Sequence, residues 1–205
     1  QNTGTVWLDD LVVVEETGEP TDFGGLLQRA ESLRDNAHLA EALSLYQRLS
    51  HSQPDHLLAR YGAGRVRLAL GRYPEALEDF QWLADRKFRE APLALGDLYQ
   101  QLGEFERAQD YYQQALKAVE GDQGTYSLVL DRLAANALSR GDVRDAQRAQ
   151  QQALRILRHI DDKHGQAVAL HTLGGISVRL GDQTAAELSF REALRIARRI
   201  EDQRL

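Results

Sequence analysis

From residue 23 onward, apolar residues return every three or four positions, and polar residues fill the steps between them. That spacing puts the apolar side chains on one face of a helix. It predicts ten amphipathic helices, over 28–34, 40–49, 57–70, 74–84, 91–102, 105–119, 126–139, 143–160, 163–180 and 184–200. Pro54 suits the end of the second helix, and Pro74 suits the first turn of the fourth, where a missing N–H costs nothing. Residues 1–22 break the rhythm. Thr5-Val-Trp-Leu-Asp-Asp-Leu-Val-Val-Val-Glu15 is rich in β-branched and aromatic residues and predicts a strand, and Thr17-Gly-Glu-Pro-Thr21 predicts a turn or linker.

A second pattern lies over the first. A glycine or alanine stands twelve residues before an alanine in Ala30/Ala42, Gly64/Ala76, Gly96/Ala108, Ala134/Ala146 and Gly174/Ala186. A bulky or amphipathic residue follows four positions later, including Tyr46, Phe80, Tyr112 and Phe190. In four copies Gly71, Gly103, Gly141 or Gly181 stands five residues before the second alanine, where the first helix of a pair should end. Glycine takes the left-handed conformation of a helix terminus without strain. The small residues let two helices cross closely, and the aromatic residues fill the space alongside. A period in the thirties is the mark of a helical solenoid. The second alanines are 34, 32, 38 and 40 residues apart, so the fourth and fifth copies are long and should widen the superhelix.

These residues resemble the tetratricopeptide repeat family, together with Ala115, Ala153, Ala193 and Pro54. The long final copies, with Ala-Leu-Arg-Ile-Leu-Arg-His-Ile-Asp-Asp and Ala-Leu-Arg-Ile-Ala-Arg-Arg-Ile-Glu-Asp, look like the extended repeats of bacterial regulators and peptide-binding scaffolds. The resemblance implies an all-α, right-handed α-solenoid of about five helix pairs over 23–205, after a short extended arm over 1–22. Gly4-Thr-Val-Trp-Leu-Asp-Asp-Leu11 resembles the last strand of carbohydrate-binding β-sandwich modules, which would place such a module upstream.

Carried over to this chain, the family's groove positions are Tyr61, Arg65, Leu68, Leu93, Asp97, Gln100, Asp131, His171 and Arg179, with Leu27, Glu31, Leu58 and Ala135 as lesser members. Their mixed chemistry suits a peptide of mixed polarity. The carboxylate clamp of the chaperone-binding members is missing, because Leu27, Glu31, Gly62, Glu90 and Ala94 stand where its Lys, Asn and Arg would be.

Composition narrows the function classes. The net charge is -6, and residues 1–22 carry six carboxylates and no Lys or Arg, so the remaining 183 residues sum to zero. No basic field for nucleic acid exists. The arginines that thicken the last third read as a solvated face. No apolar run approaches a membrane span, and mean hydropathy is -0.49. There is no Cys, hence no disulfide and no thiolate ligand or nucleophile. The six histidines never pair at a helical i,i+4 step, so neither a metal nor any other cofactor is expected. No phosphate loop or catalytic constellation appears either, and an enzyme is not expected.

The reading is a scaffold that binds a peptide or protein segment in a concave groove. One alternative is self-assembly through the arm, whose exposed apolar strand invites pairing, or through the ends of the array, giving a homo-oligomer. Another is a peptide-sensing regulator. Gln1 and the repeat-like texture of the last residues suggest that the chain is part of something longer. The family leans toward the cytoplasm, and Gln1 also fits a processed exported protein.

Overall fold

The computed structural model describes residues 22–202. The expected strand, linker and β-sandwich resemblance of the arm lie outside the described residues. Ten helices follow one another: α1 Phe23–Asp35, α2 Leu39–Ser52, α3 Leu57–Ala69, α4 Tyr73–Asp85, α5 Ala91–Gln101, α6 Phe105–Ala118, α7 Gln123–Arg140, α8 Val143–His159, α9 Lys163–Arg179 and α10 Gln183–Asp202. No strand occurs among the described residues. The fold is therefore the all-α repeat solenoid of five helix pairs that the periodicity predicts.

Local chemistry sets the boundaries. α1 begins five residues before the apolar pattern does, because the Asp22 carboxylate accepts a hydrogen bond from the Gly25 N–H at 3.0 Å. Asp122 and Asp162 cap α7 and α9 in the same way, at Thr125 (3.0 Å) and Gly165 (2.9 Å). The first helix of each later pair ends in a left-handed glycine, with φ of 73° at Gly71, 75° at Gly103, 87° at Gly141 and 78° at Gly181. The first pair has no glycine there. Ala37 takes φ 63° instead, a conformation that costs an L-residue about 1–2 kcal/mol.

Contacts divide the chain into two compact units at Ala91/Pro92. In the first, α1 packs on α2, α2 on α3 and α3 on α4. Its core holds Ala30, Ala42, Leu43, Tyr46, Leu49 and Val66. A Cβ at Gly62 would stand 2.3 Å from the Tyr46 ring, and one at Gly64 would stand 2.6 Å from Phe80. Each aromatic ring thus occupies the space that a side chain on α3 would have filled. Burying a ring of this size stabilises by roughly 1.5–3 kcal/mol.

The first unit also holds an ionic triad around the buried Asp79. Asp79 on α4 accepts hydrogen bonds from Arg60 Nε at 3.1 Å and from Arg67 Nη1, both on α3. Burial pushes the Asp79 carboxyl up, and the two guanidiniums pull it back. Arg60 also lies over one ring of Trp82 at 4.3 Å, and Arg86 lies over it at 3.5 Å.

In the second unit α6 packs on α7, α7 on α8, α8 on α9 and α9 on α10. α5 meets α6 through Gly96, where a Cβ would come within 2.5 Å of Tyr112, and through the Tyr99 and Tyr111 rings, stacked 5.3 Å apart. The same close approach recurs at Gly174, which faces Phe190 at 2.5 Å. Buried Asn136 ties α7 to α6, its Nδ2 donating to the Phe105 carbonyl at 3.0 Å.

Candidate functional site

The first helices of the pairs carry every residue expected to face a partner. In the first unit these are Tyr61, Arg65 and Leu68 on α3. Tyr61 is half-buried, its ring 5.3 Å from Phe88 and 6.3 Å from Phe80. The exposed Arg65 guanidinium lies 5.8 Å from the same ring. Leu68 is half-buried and Leu58 is exposed. The ring contacts hold Tyr61 in place, so α3 presents one fixed aromatic edge with a cation beside it.

The second unit holds the other six. Leu93 is buried and belongs to the core of α5, which leaves a partner little of it to touch. Asp97 and Asp131 are brought together by a residue the periodicity did not single out. Arg132 reaches Asp97 through Nε at 3.3 Å and Asp131 through Nη1 at 3.5 Å. Asp97 also accepts a hydrogen bond from the Tyr112 hydroxyl at 2.9 Å. Burial first, and the Asp97 charge second, push the Tyr112 phenol far above its ordinary value, so it stays a donor. Gln100 donates through Nε2 to the Ser139 hydroxyl at 3.0 Å, a second link between α5 and α7. His171 on α9 is exposed, with its ring 5.4 Å from Phe190. Arg179, at the end of α9, is exposed.

Asp131 has a further partner. Gln150 on α8 donates from Nε2 to Asp131 Oδ1 at 3.2 Å. The two line a hollow between α7, α8 and α9, together with Leu128, Leu157, His164 and Val168. Gln150 is 1% exposed, and its Oε1 has no hydrogen-bond partner. One signal in the sequence could have found it. Tyr46, Phe80, Tyr112 and Phe190 each stand sixteen residues after the small residue of their pair, and in the fourth pair that position is Gln150.

The arrangement offers hydrogen bonds, fixed charge and apolar side chains held on rigid helices, and so it can recognise a ligand. Among the described residues no three His, Asp or Glu side chains gather as metal ligands. No described helix is long and apolar enough to cross a membrane.

Three tetratricopeptide repeat models match in succession, over residues 27–92, 93–125 and 125–199. Solved structures share the fold. BtubC (BKLC) from P. vanneervenii is 22% identical with a TM-score of 0.75, the match covering 87% of this chain and 80% of that one. TTC0263, a thermophilic TPR protein of Thermus thermophilus, is 22% identical with a TM-score of 0.67, over 89% and 95%. MamA from Desulfovibrio magneticus RS-1 is 16% identical with a TM-score of 0.65, over 86% and 95%. Comparison with curated proteins finds no match.

Proposed function

Because the chain belongs to the tetratricopeptide repeat family, whose fold generally serves as a non-enzymatic scaffold for protein interaction, we propose that it binds an extended peptide or protein segment on the first helices of the pairs in its second unit. The observation that carries this reading is the array on α5 and α7. Asp97, Arg132 and Asp131 form one charged chain, anchored by Tyr112 at one end and Gln150 at the other. Side chains already held in place lose little freedom when a ligand arrives, so more of the contact energy appears as affinity. Both signs of charge are present, which suits a ligand of mixed polarity. Leu93, being buried, plays no part in the contact.

The test begins with a random linear peptide display library selected on the full chain. Gln100→Ala and Arg132→Ser, in one variant, remove polar side chains that reach solvent without opening the core. The selected peptides should lose at least about tenfold in affinity for this variant while its circular dichroism is unchanged. Unchanged affinity, or no enrichment at all, overturns the reading.

A second reading, self-association, draws on the exposed leucines of α10, Leu188 and Leu194. Isolated apolar residues are ordinary on a surface, but these two belong to one helix and stand near exposed Val178 in sequence. Light scattering over a concentration series decides it: a mass that stays at 23.1 kDa removes the reading.

A further inference from the structure

We infer that the hollow between α7, α8 and α9 is a pocket for a cationic side chain, lysine or arginine, of a bound peptide. This rests on the reading that peptides bind the first helices. It adds one anchor position and its chemistry.

In the second pair Tyr61 packs its ring against Phe80, and in the fifth His171 packs against Phe190. Each partner set stands at the same two positions, three residues before the small residue and sixteen after it. In the fourth pair those positions are Asp131 and Gln150, and a carboxylate–amide hydrogen bond replaces the ring contact. The exchange does two things at once. It removes the ring that would have filled the space, and it places a negative charge at the wall of the hollow that results.

Gln150 is an odd choice for a buried position. Its Nε2 is used on Asp131, and its Oε1 is left without a partner. The orientation of the amide is fixed, because turning it over would set Oε1 against the carboxylate. Buried polar atoms are nearly always paired, so an unpaired one beside an open pocket asks for a donor. A cationic head at Asp131 brings several N–H donors, and a small turn of the amide presents Oε1 to one of them.

The walls fit the rest of such a side chain. Leu128 and Val168, on α7 and α9, remain 42% and 47% exposed on the pocket. They offer apolar surface to the methylene stem of a lysine or arginine. Gly165 lets α9 approach closely here, since a Cβ there would meet the Asp162 carboxylate at 2.5 Å and Leu157 at 2.6 Å. The nearby charges are accounted for. Asp162 adds a second carboxylate, which also caps α9, Lys163 is paired with Asp161, and Arg132 is divided between Asp97 and Asp131. His164 completes the rim.

The experiment is a nuclear magnetic resonance titration of the full chain with three blocked pentapeptides, alanine throughout except for a central lysine, norleucine or glutamate. The lysine peptide should shift the signals of Gly124, Gly165 and the Gln150 side-chain amide, with an affinity at least about tenfold above that of norleucine. The glutamate peptide should leave them unmoved. Asp131→Asn should erase the advantage of lysine. The pair Asp131→His with Gln150→Phe copies the ring contact of the fifth pair and should abolish the shifts. If that pair does not fold, Asp131→Asn alone decides. Equal shifts from lysine and norleucine overturn the proposal. So does a silent pocket, or a preference that survives Asp131→Asn. Shifts at Gln100, Arg132 and Ser139 with a silent pocket sink the pocket alone and leave the peptide-binding face standing. A display library that enriches nothing sinks both.

Discussion

Gly96 and Tyr112 occupy one another's space: a methyl group added to Gly96 would stand 2.5 Å from two carbons of the Tyr112 ring. Both residues sit on helices and both are buried, so neither has room to retreat. Gly96→Ala should therefore lower stability by about 1–3 kcal/mol despite its gain in helix propensity. Urea unfolding measures this directly. Adding Tyr112→Leu should give a double variant less unstable than the two single losses added together, since the clash is gone. Strict additivity would show that the ring can move aside.

Ala37→Gly should work the other way. The alanine holds φ 63° where later pairs have glycine. Relief of the left-handed strain is worth about 1 kcal/mol, partly offset by the greater freedom of an unfolded glycine. The melting temperature should rise by a few degrees. A fall would mean that the Ala37 methyl makes contacts worth more than the strain.

Two buried tyrosines should respond oppositely to loss of the hydroxyl. Tyr46 Oη has no hydrogen-bond partner, whereas Tyr112 Oη donates to Asp97. Tyr46→Phe should be neutral or stabilising, and Tyr112→Phe should destabilise by about 1.5–3 kcal/mol, the range for a bond to a charged group. Comparing the two chemical-denaturation midpoints tests the sign. A matched loss in both would mean that Tyr46 is paired after all.

The same phenols set the alkaline limit. Burial raises Tyr46, Tyr111 and Tyr112 above the ordinary value of 10.0. For an acid whose folded pKa is raised, the stability it contributes is present below the unfolded value and is lost as pH rises past it. Stability should therefore begin to fall near about pH 9–10, around the unfolded value, and go on falling as the pH rises further, and Tyr112→Phe should show a shallower fall. Equal slopes in variant and parent would exclude Tyr112 as a contributor.

Much of this was written in the chain. The three- and four-residue apolar steps located all ten helices, and Gly71, Gly103, Gly141 and Gly181 marked their turns, because a backbone that must take positive φ selects glycine. The twelve-residue pairs anticipated the crossings at Gly64, Gly96 and Gly174. Other features were silent for physical reasons. Phe23-Gly-Gly has no apolar period, so the start of α1 depends on a single capping carboxylate. Leu93 is a groove position only by the family resemblance, and its burial depends on neighbours that the resemblance does not specify. Gln150 lies in a run already crowded with glutamines, and its importance appears only when its place is set beside Tyr46, Phe80, Tyr112 and Phe190. Arg132 is one arginine among many until its two carboxylates are seen.

Trp82, in contact with two guanidinium groups, also makes the first unit optically distinct. The chain has only two tryptophans, Trp7 and Trp82, and the second unit has neither. In a Trp7→Phe background, emission on heating reports on the first unit alone, while far-ultraviolet circular dichroism sees helices in both. One shared midpoint would mean that the two units melt as a single cooperative body. Two midpoints would mean that cooperativity breaks at Ala91/Pro92, and that one half of the array can open while the other keeps its shape.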